Sequence, residues 1–135
     1  MPIDMRGVCP LLQVFDMPTS VRFYRDMLGF TVHSHSNPVA EDDYGWCWLK
    51  HGDGAEIMLN TAYDIGERPD HPDPARIASH GDTCLYIGCP DVDAAYQFLI
   101  EKGLALKPPK VARYGMKQLY LTDPDGFGIC FQWRA

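Results

Sequence analysis

Leu12-Gln13-Val14-Phe15-Asp16, followed by Met17-Pro18-Thr19-Ser20-Val21-Arg22-Phe23, has a counterpart in Ile87-Gly88-Cys89-Pro90-Asp91, followed by Val92-Asp93-Ala94-Ala95-Tyr96-Gln97-Phe98. Asp16 aligns with Asp91 and Phe23 with Phe98, both at an offset of 75. Further on, Gly52-Asp53-Gly54-Ala55-Glu56-Ile57-Met58-Leu59-Asn60 aligns with Pro124-Asp125-Gly126-Phe127-Gly128-Ile129-Cys130-Phe131-Gln132 at an offset of 72. Two matches in the same order and with similar spacing mark a repeat, in which one supersecondary unit is written twice.

Each copy reads as strand, helix, then three strands. In the first, Cys9–Phe15 is β-rich, Pro18 suits the first helical turn and Asp16 places negative charge at its start. Val21, Tyr24 and Leu28 follow at helical spacing, and Gly29 ends the helix. Phe30–Ser36 is a second strand, and Tyr44–Lys50 and Glu56–Asn60 form a hairpin about the Asp53-Gly54 turn signal. In the second copy, Thr83–Cys89 is a strand, Val92–Lys102 a helix, Leu104–Lys107 a short strand ahead of Pro108-Pro109, and Gln118–Thr122 with Ile129–Trp133 a hairpin. The expected organisation is one domain over 1–135, with a first βαβββ module at 8–60, a linker or flap at 61–79 rich in Pro, Asp and Arg, and a second βαβββ module at 80–135.

The chain has 135 residues and a formal charge of −6. A length of this order suits one domain that needs no disulfides. The acidic balance argues against a nucleic-acid partner, which clustered Lys and Arg would serve. No apolar run has the length of a membrane span, and the N-terminus has no signal-peptide pattern, so the expectation is a cytoplasmic protein with no membrane partner. Five cysteines with no CxxC pair then read as free thiols.

Val14-Phe15-Asp16, Phe23-Tyr24-Arg25-Asp26-Met27-Leu28-Gly29-Phe30, Asp91-Val92-Asp93 and Asp123-Pro124-Asp125-Gly126 together resemble the vicinal oxygen chelate superfamily, the glyoxalase/bleomycin resistance protein/dioxygenase group. The resemblance spans roughly residues 8 to 133. It implies an α+β fold of two βαβββ modules whose curled mixed sheets enclose a shared cavity, commonly in a homodimer. It leaves the reaction open, because the scaffold hosts lyases, isomerases, dioxygenases, thiol transferases and drug binders.

The resemblance also marks where metal-using relatives hold their ion, on the first and last strands of each module, with His, Gln or Glu. Those positions here are Cys9, Met58, Cys84 and Cys130. Three thiols and a thioether suit Mg(II) or Mn(II) badly. They are small hydrophobes lining a metal-free cavity, a soft site for Zn or Cu, or a site of thiol chemistry. Strand alternation places Gln13, Glu56, Asn60, Tyr86 and Gln132 on the same faces as these four. Trp46, Trp48, Gln118 and Tyr120 join them from the third strands and offer flat stacking surface. Cys47 and Cys89 fall on the opposite, helix-facing parity. Glu56 is the candidate general base or anchor for a cation. His33 and His35 lie two apart on a strand away from these positions, and Arg68, Arg76 and Arg113 are candidates to hold an anion, with no spacing to single one out. The leading expectation is a metal-independent, cofactor-free binder of a cationic or aromatic small molecule. The alternative is a glyoxalase-like lyase or isomerase, or another enzyme of the family, using a metal held by unusual soft ligands.

Overall fold

The computed structural model describes residues 2–64 and 66–135. The chain divides into two compact units, Met1–Pro69 and Asp70–Ala135. The border falls inside the stretch expected to be a linker or flap. In the first unit, β1 (Leu11–Val14), α1 (Met17–Arg22), a π-helical turn (Phe23–Met27), β2 (Thr31–His35), β3 (Trp46–His51) and β4 (Ala55–Thr61) follow in order. The second holds α2 (Pro74–Ser79), a 3₁₀ turn (His80–Asp82), β5 (Cys84–Gly88), α3 (Val92–Glu101), β6 (Lys110–Val111), β7 (Met116–Thr122) and β8 (Gly128–Arg134). Each unit carries one four-stranded mixed sheet, ordered β1-β4-β3-β2 and β5-β8-β7-β6. The fold is α+β.

The aligned aspartates start equivalent helices. Asp16 caps α1 by accepting from the Thr19 N–H at 3.3 Å, and Asp91 caps α3 by accepting from the Ala94 N–H at 2.9 Å. An N-cap of this kind satisfies an otherwise orphaned donor and is worth about 1 kcal/mol. The helical spacing expected through Leu28 is realised as α1 plus the π-helical turn. That stretch closes with the Leu28 N–H on the Phe23 carbonyl at 3.2 Å.

Period-2 alternation sorts each sheet into a packed face and a polar face. In the first unit Leu12, Val14, Cys47, Leu49, Ile57 and Leu59 are buried with Met17, Val21 and Tyr24 of the helix. In the second, Leu119, Leu121 and Ile129 are buried, as are Val92 and Leu99 of α3. Cys89 departs from its expected place in the core: it lies just past β5, half-buried, with its thiol toward the Asp91 carbonyl at 3.6 Å.

Two segments differ from expectation. Leu104–Lys107 is not a strand. The two-residue β6 starts at Lys110, immediately after Pro108 and Pro109, which have no N–H to give to a ladder. The stretch taken as linker or flap ends in a helix, α2, capped by Asp73, which accepts from the Ala75 N–H at 3.0 Å. The adjoining 3₁₀ turn carries His80, whose ring stacks on Phe127 at 4.0 Å and whose Nδ1 is 2.7 Å from the Asp125 carbonyl oxygen.

That helix explains the Asp123-Pro124-Asp125-Gly126 turn. The buried Asp123 carboxylate accepts from the backbone N–H of Asp125 and of Phe127, both at 2.9 Å, and folds the β7–β8 connection around itself. Gly126 then adopts φ +90 under α2, where a Cβ would run into the carbonyl oxygen of Ile77. Gly103, after α3, also has a positive φ, of +97, but faces open space. Gly126→Ala should therefore lower stability by at least about 2 kcal/mol, and Gly103→Ala by only about 1 kcal/mol. Urea unfolding midpoints of the two variants check the difference.

Candidate functional site

The polar faces of the two sheets are built from matched rows. In the first unit, register places Leu11, Met58 and Trp48 in one row across β1, β4 and β3. Gln13, Asn60 and Trp46 form the next, and Glu56 stands opposite Lys50. In the second unit, Tyr86, Cys130 and Tyr120 form one row across β5, β8 and β7. Gly88, Gln132 and Gln118 form the next and reach Lys110 on β6, while Cys84 and Thr122 flank Gly128. The repeat thus holds at the level of register, with Met58 equivalent to Cys130 and Trp48 to Tyr120.

On the first face the candidates meet in pairs. Asn60 Nδ2 donates to Gln13 Oε1 at 3.3 Å. The Glu56 carboxylate lies 3.4 Å from Lys50 Nζ, and that ammonium stands 4.5 Å from the Trp48 ring centroid. His33 meets the same indole edge-on at 4.7 Å. Trp48 Nε1 is buried and finds no hydrogen-bond partner among the described residues. It is near enough to Cys9 to favour the thiolate weakly, but burial and then the Glu56 charge push the Cys9 thiol up.

On the second face the candidates form one connected network. Tyr86 and Tyr120 have their hydroxyls 3.2 Å apart and their rings edge-to-face. Tyr120 donates to Gln118 Oε1 at 3.1 Å. Gln118 Nε2 donates to Gln132 Oε1 at 3.0 Å and to the Tyr114 hydroxyl at 2.6 Å. Gln118 is 7% exposed, and its polar atoms are satisfied within the network. Cys130, although on the polar face, is fully buried between the two tyrosines of its row. The hydrogen bond with Tyr86, followed by burial, holds the Tyr120 phenol above its ordinary range.

Gln118 and Tyr120 also line a cavity of about 730 Å³ that belongs wholly to the second unit. Its other wall is the irregular segment from Leu104 through β6 to Arg113. The volume is that of a small-molecule pocket. Residues 104–113 were not among the candidates, apart from Arg113. Only the Pro108-Pro109 pair signalled that this segment leaves the sheet. Of the other candidate arginines, Arg68 pairs with Asp16 and Arg76 is half-buried in α2.

All five cysteines are free thiols. Burial raises each of them, Cys47 to about 11, and is the first cause at Cys84, Cys89 and Cys130 as well. At Cys130 the Tyr120 hydroxyl opposes the rise. Thioether and thiol donors do not fit a hard cation. Among the described residues, neither unit gathers three His, Cys, Asp or Glu side chains into a group able to hold a metal ion.

A model of the Glyoxalase/Bleomycin resistance protein/Dioxygenase superfamily matches residues 8–131. The uncharacterized protein YaeR of Escherichia coli (strain K12) is 29% identical over 119 residues, 84% of either chain. Among solved structures, TnmS3, an antibiotic binding protein from Streptomyces sp. CB03234, superposes with a TM-score of 0.73 at 22% identity, covering 98% of this chain and 99% of its own. A bleomycin-binding protein complexed with bleomycin superposes at 0.70 with 19% identity, covering 97% and 100%. At these identities the structural likeness shows the fold. No described helix is long and apolar enough to cross a membrane.

The cover that two tyrosines place over Cys130 is testable with a thiol reagent. At pH 7 N-ethylmaleimide should label Cys130 slowly, and Tyr120→Ala should raise that rate by about tenfold or more while Cys47 stays unreactive. Both rates should climb with pH as the thiols ionise. Mass spectrometry of labelled peptides gives the site-by-site rates.

Proposed function

The chain belongs to the glyoxalase/bleomycin resistance protein/dioxygenase superfamily, and from that premise we propose that it binds a planar aromatic small molecule without help from a metal. The observation that carries this reading is the cavity of the second unit, which Gln118 and Tyr120 line and where each is held by hydrogen bonds to the other and to Gln132 and Tyr86 behind them. Gln118 and Tyr120 are held in place by hydrogen bonds, and Tyr120, which lines the cavity, is 51% exposed. An exposed aromatic fixed by a hydrogen bond at its hydroxyl is a pre-organised stacking surface, and pre-organisation lowers the entropic cost of binding.

The names of two structural neighbours, an antibiotic binding protein and a bleomycin-binding protein, support a binding role on this fold. The cationic half of the sequence expectation rested on Glu56. That carboxylate already faces Lys50, so the aromatic half is the part carried forward. The sulfur donors of Cys9, Met58, Cys84 and Cys130 do not suit a hard cation, which supports a reading without one.

Isothermal titration calorimetry against a panel of planar aromatic compounds tests the reading. We expect saturable binding by at least one member, weakened about tenfold by Tyr120→Ala through loss of stacking and buried area. Elemental analysis of protein purified without chelator should find metal far below one ion per chain. Near-stoichiometric metal whose removal frees the Cys9, Cys84 and Cys130 thiols would overturn the proposal in favour of the soft-metal enzyme.

A further inference from the structure

Lys107, Lys110 and Arg113 all line the cavity of the second unit, and no carboxylate lines it. The chain as a whole is acidic, with 12 basic against 18 acidic side chains. Five of its other nine cations are ion-paired: Arg6 with Asp4, Arg25 with Asp26 and Asp42, Lys50 with Glu56, Arg68 with Asp16, Lys117 with Asp93. Among the described residues, no ion pair neutralises Lys107, Lys110 or Arg113. Three unpaired cations along one short segment of an acidic protein make a local positive field that nothing in the fold requires.

A hydrogen-bond network reaches the same cavity through Gln118 and Tyr120. Tyr120 passes its proton to Gln118, and Gln118 passes its amide protons to Gln132 Oε1 and to the Tyr114 hydroxyl. Gln118 Oε1 and Gln132 Oε1 each accept one hydrogen bond within this network. Tyr114 directly follows Arg113 in the chain and is 69% exposed. The remaining walls, including Leu104, Leu106, Val111 and the Tyr120 ring, are apolar or aromatic.

We infer that the second-unit cavity selects an aromatic ligand bearing an anionic group, the ring against Tyr120 and the anion toward Lys107, Lys110 and Arg113. This deepens the aromatic-binder reading and rests on it. It opposes the cationic ligand expected from the sequence, because Glu56 lies in the other unit and no acidic group lines this cavity. Exposed cations act through water and salt, so each contributes modestly and the selection comes from their sum.

Three probes of one shape separate the ring from the charge: 1-naphthoate, its neutral amide 1-naphthamide, and the cation 1-naphthylmethylamine. Calorimetry at low salt should find naphthoate bound about tenfold more tightly than naphthamide, and the amine weakest. In the Lys107→Gln/Lys110→Gln/Arg113→Gln variant, the naphthoate affinity should fall to within about twofold of the amide, with the amide affinity unchanged. All three substitutions are at exposed positions, and an unaltered urea midpoint shows that the variant folds. Equal binding of naphthoate and naphthamide, tighter binding of the amine, or a naphthoate preference that survives the triple substitution would each overturn the anionic assignment and leave the aromatic binder standing. Failure of all three probes to bind at millimolar concentration would overturn both.

Discussion

The polar face of the second sheet depends on one buried carboxylate. Asp123 gathers the backbone N–H groups of Asp125 and Phe127 and so sets the length and shape of the turn between β7 and β8. In a hairpin the turn fixes the register, and a slip of one residue would send every side chain to the opposite face. The register that results pairs Gln118 with Gln132 and Tyr120 with Cys130. The parallel pairing of β5 on the other edge of β8 then brings Tyr86 to the far side of Cys130. The hydrogen-bond network, the cover over the thiol and the ring that lines the cavity all follow from that placement.

The two copies share this geometry and use it for different chemistry. Where the second sheet carries Tyr120, Gln118 and Gln132, the first carries Trp48, Trp46 and Asn60. Where Gly128 leaves room beside Cys84, the first copy has Glu56 facing Lys50. The first face closes on itself through an ion pair, a cation over an indole and an Asn–Gln bond. The second brings Gln118 and Tyr120 to a cavity that Lys107, Lys110 and Arg113 also line. Duplication supplied equivalent positions, and side-chain chemistry distinguished them.

Much of this was legible before any coordinates. Alternation over four to seven residues separates Ile57 and Leu59 from Glu56, Met58 and Asn60, because burial on one face of a strand imposes a period of two. The aligned aspartates were readable as helix starts because a carboxylate at that point meets both unpaired N–H groups and the helix dipole. Less was legible where the chain lacks a period. Leu104 to Arg113 shows none, yet it forms one wall of the cavity and carries its cations. The two-residue β6 is too short to leave a pattern. Helix α2 is also short, but Asp73-Pro74 is an N-cap followed by proline at the first helical position, a signal that could have found it. The burial of Cys130 lies beyond parity: it comes from the size of the neighbours across the row.

Helix α2 has a bearing on where the second unit begins. By sequence pattern the second copy starts near His80, with its first strand close behind. The packing of Ile77 over Gly126, and of His80 over Phe127, ties the copy to residues that precede it. A fragment cut at His80 would retain each strand of the sheet and still open the Asp123 turn to solvent on the side that α2 covers. The excisable segment therefore begins before Asp73, and the boundary between the two copies as ancestral units differs from the boundary between them as folded ones.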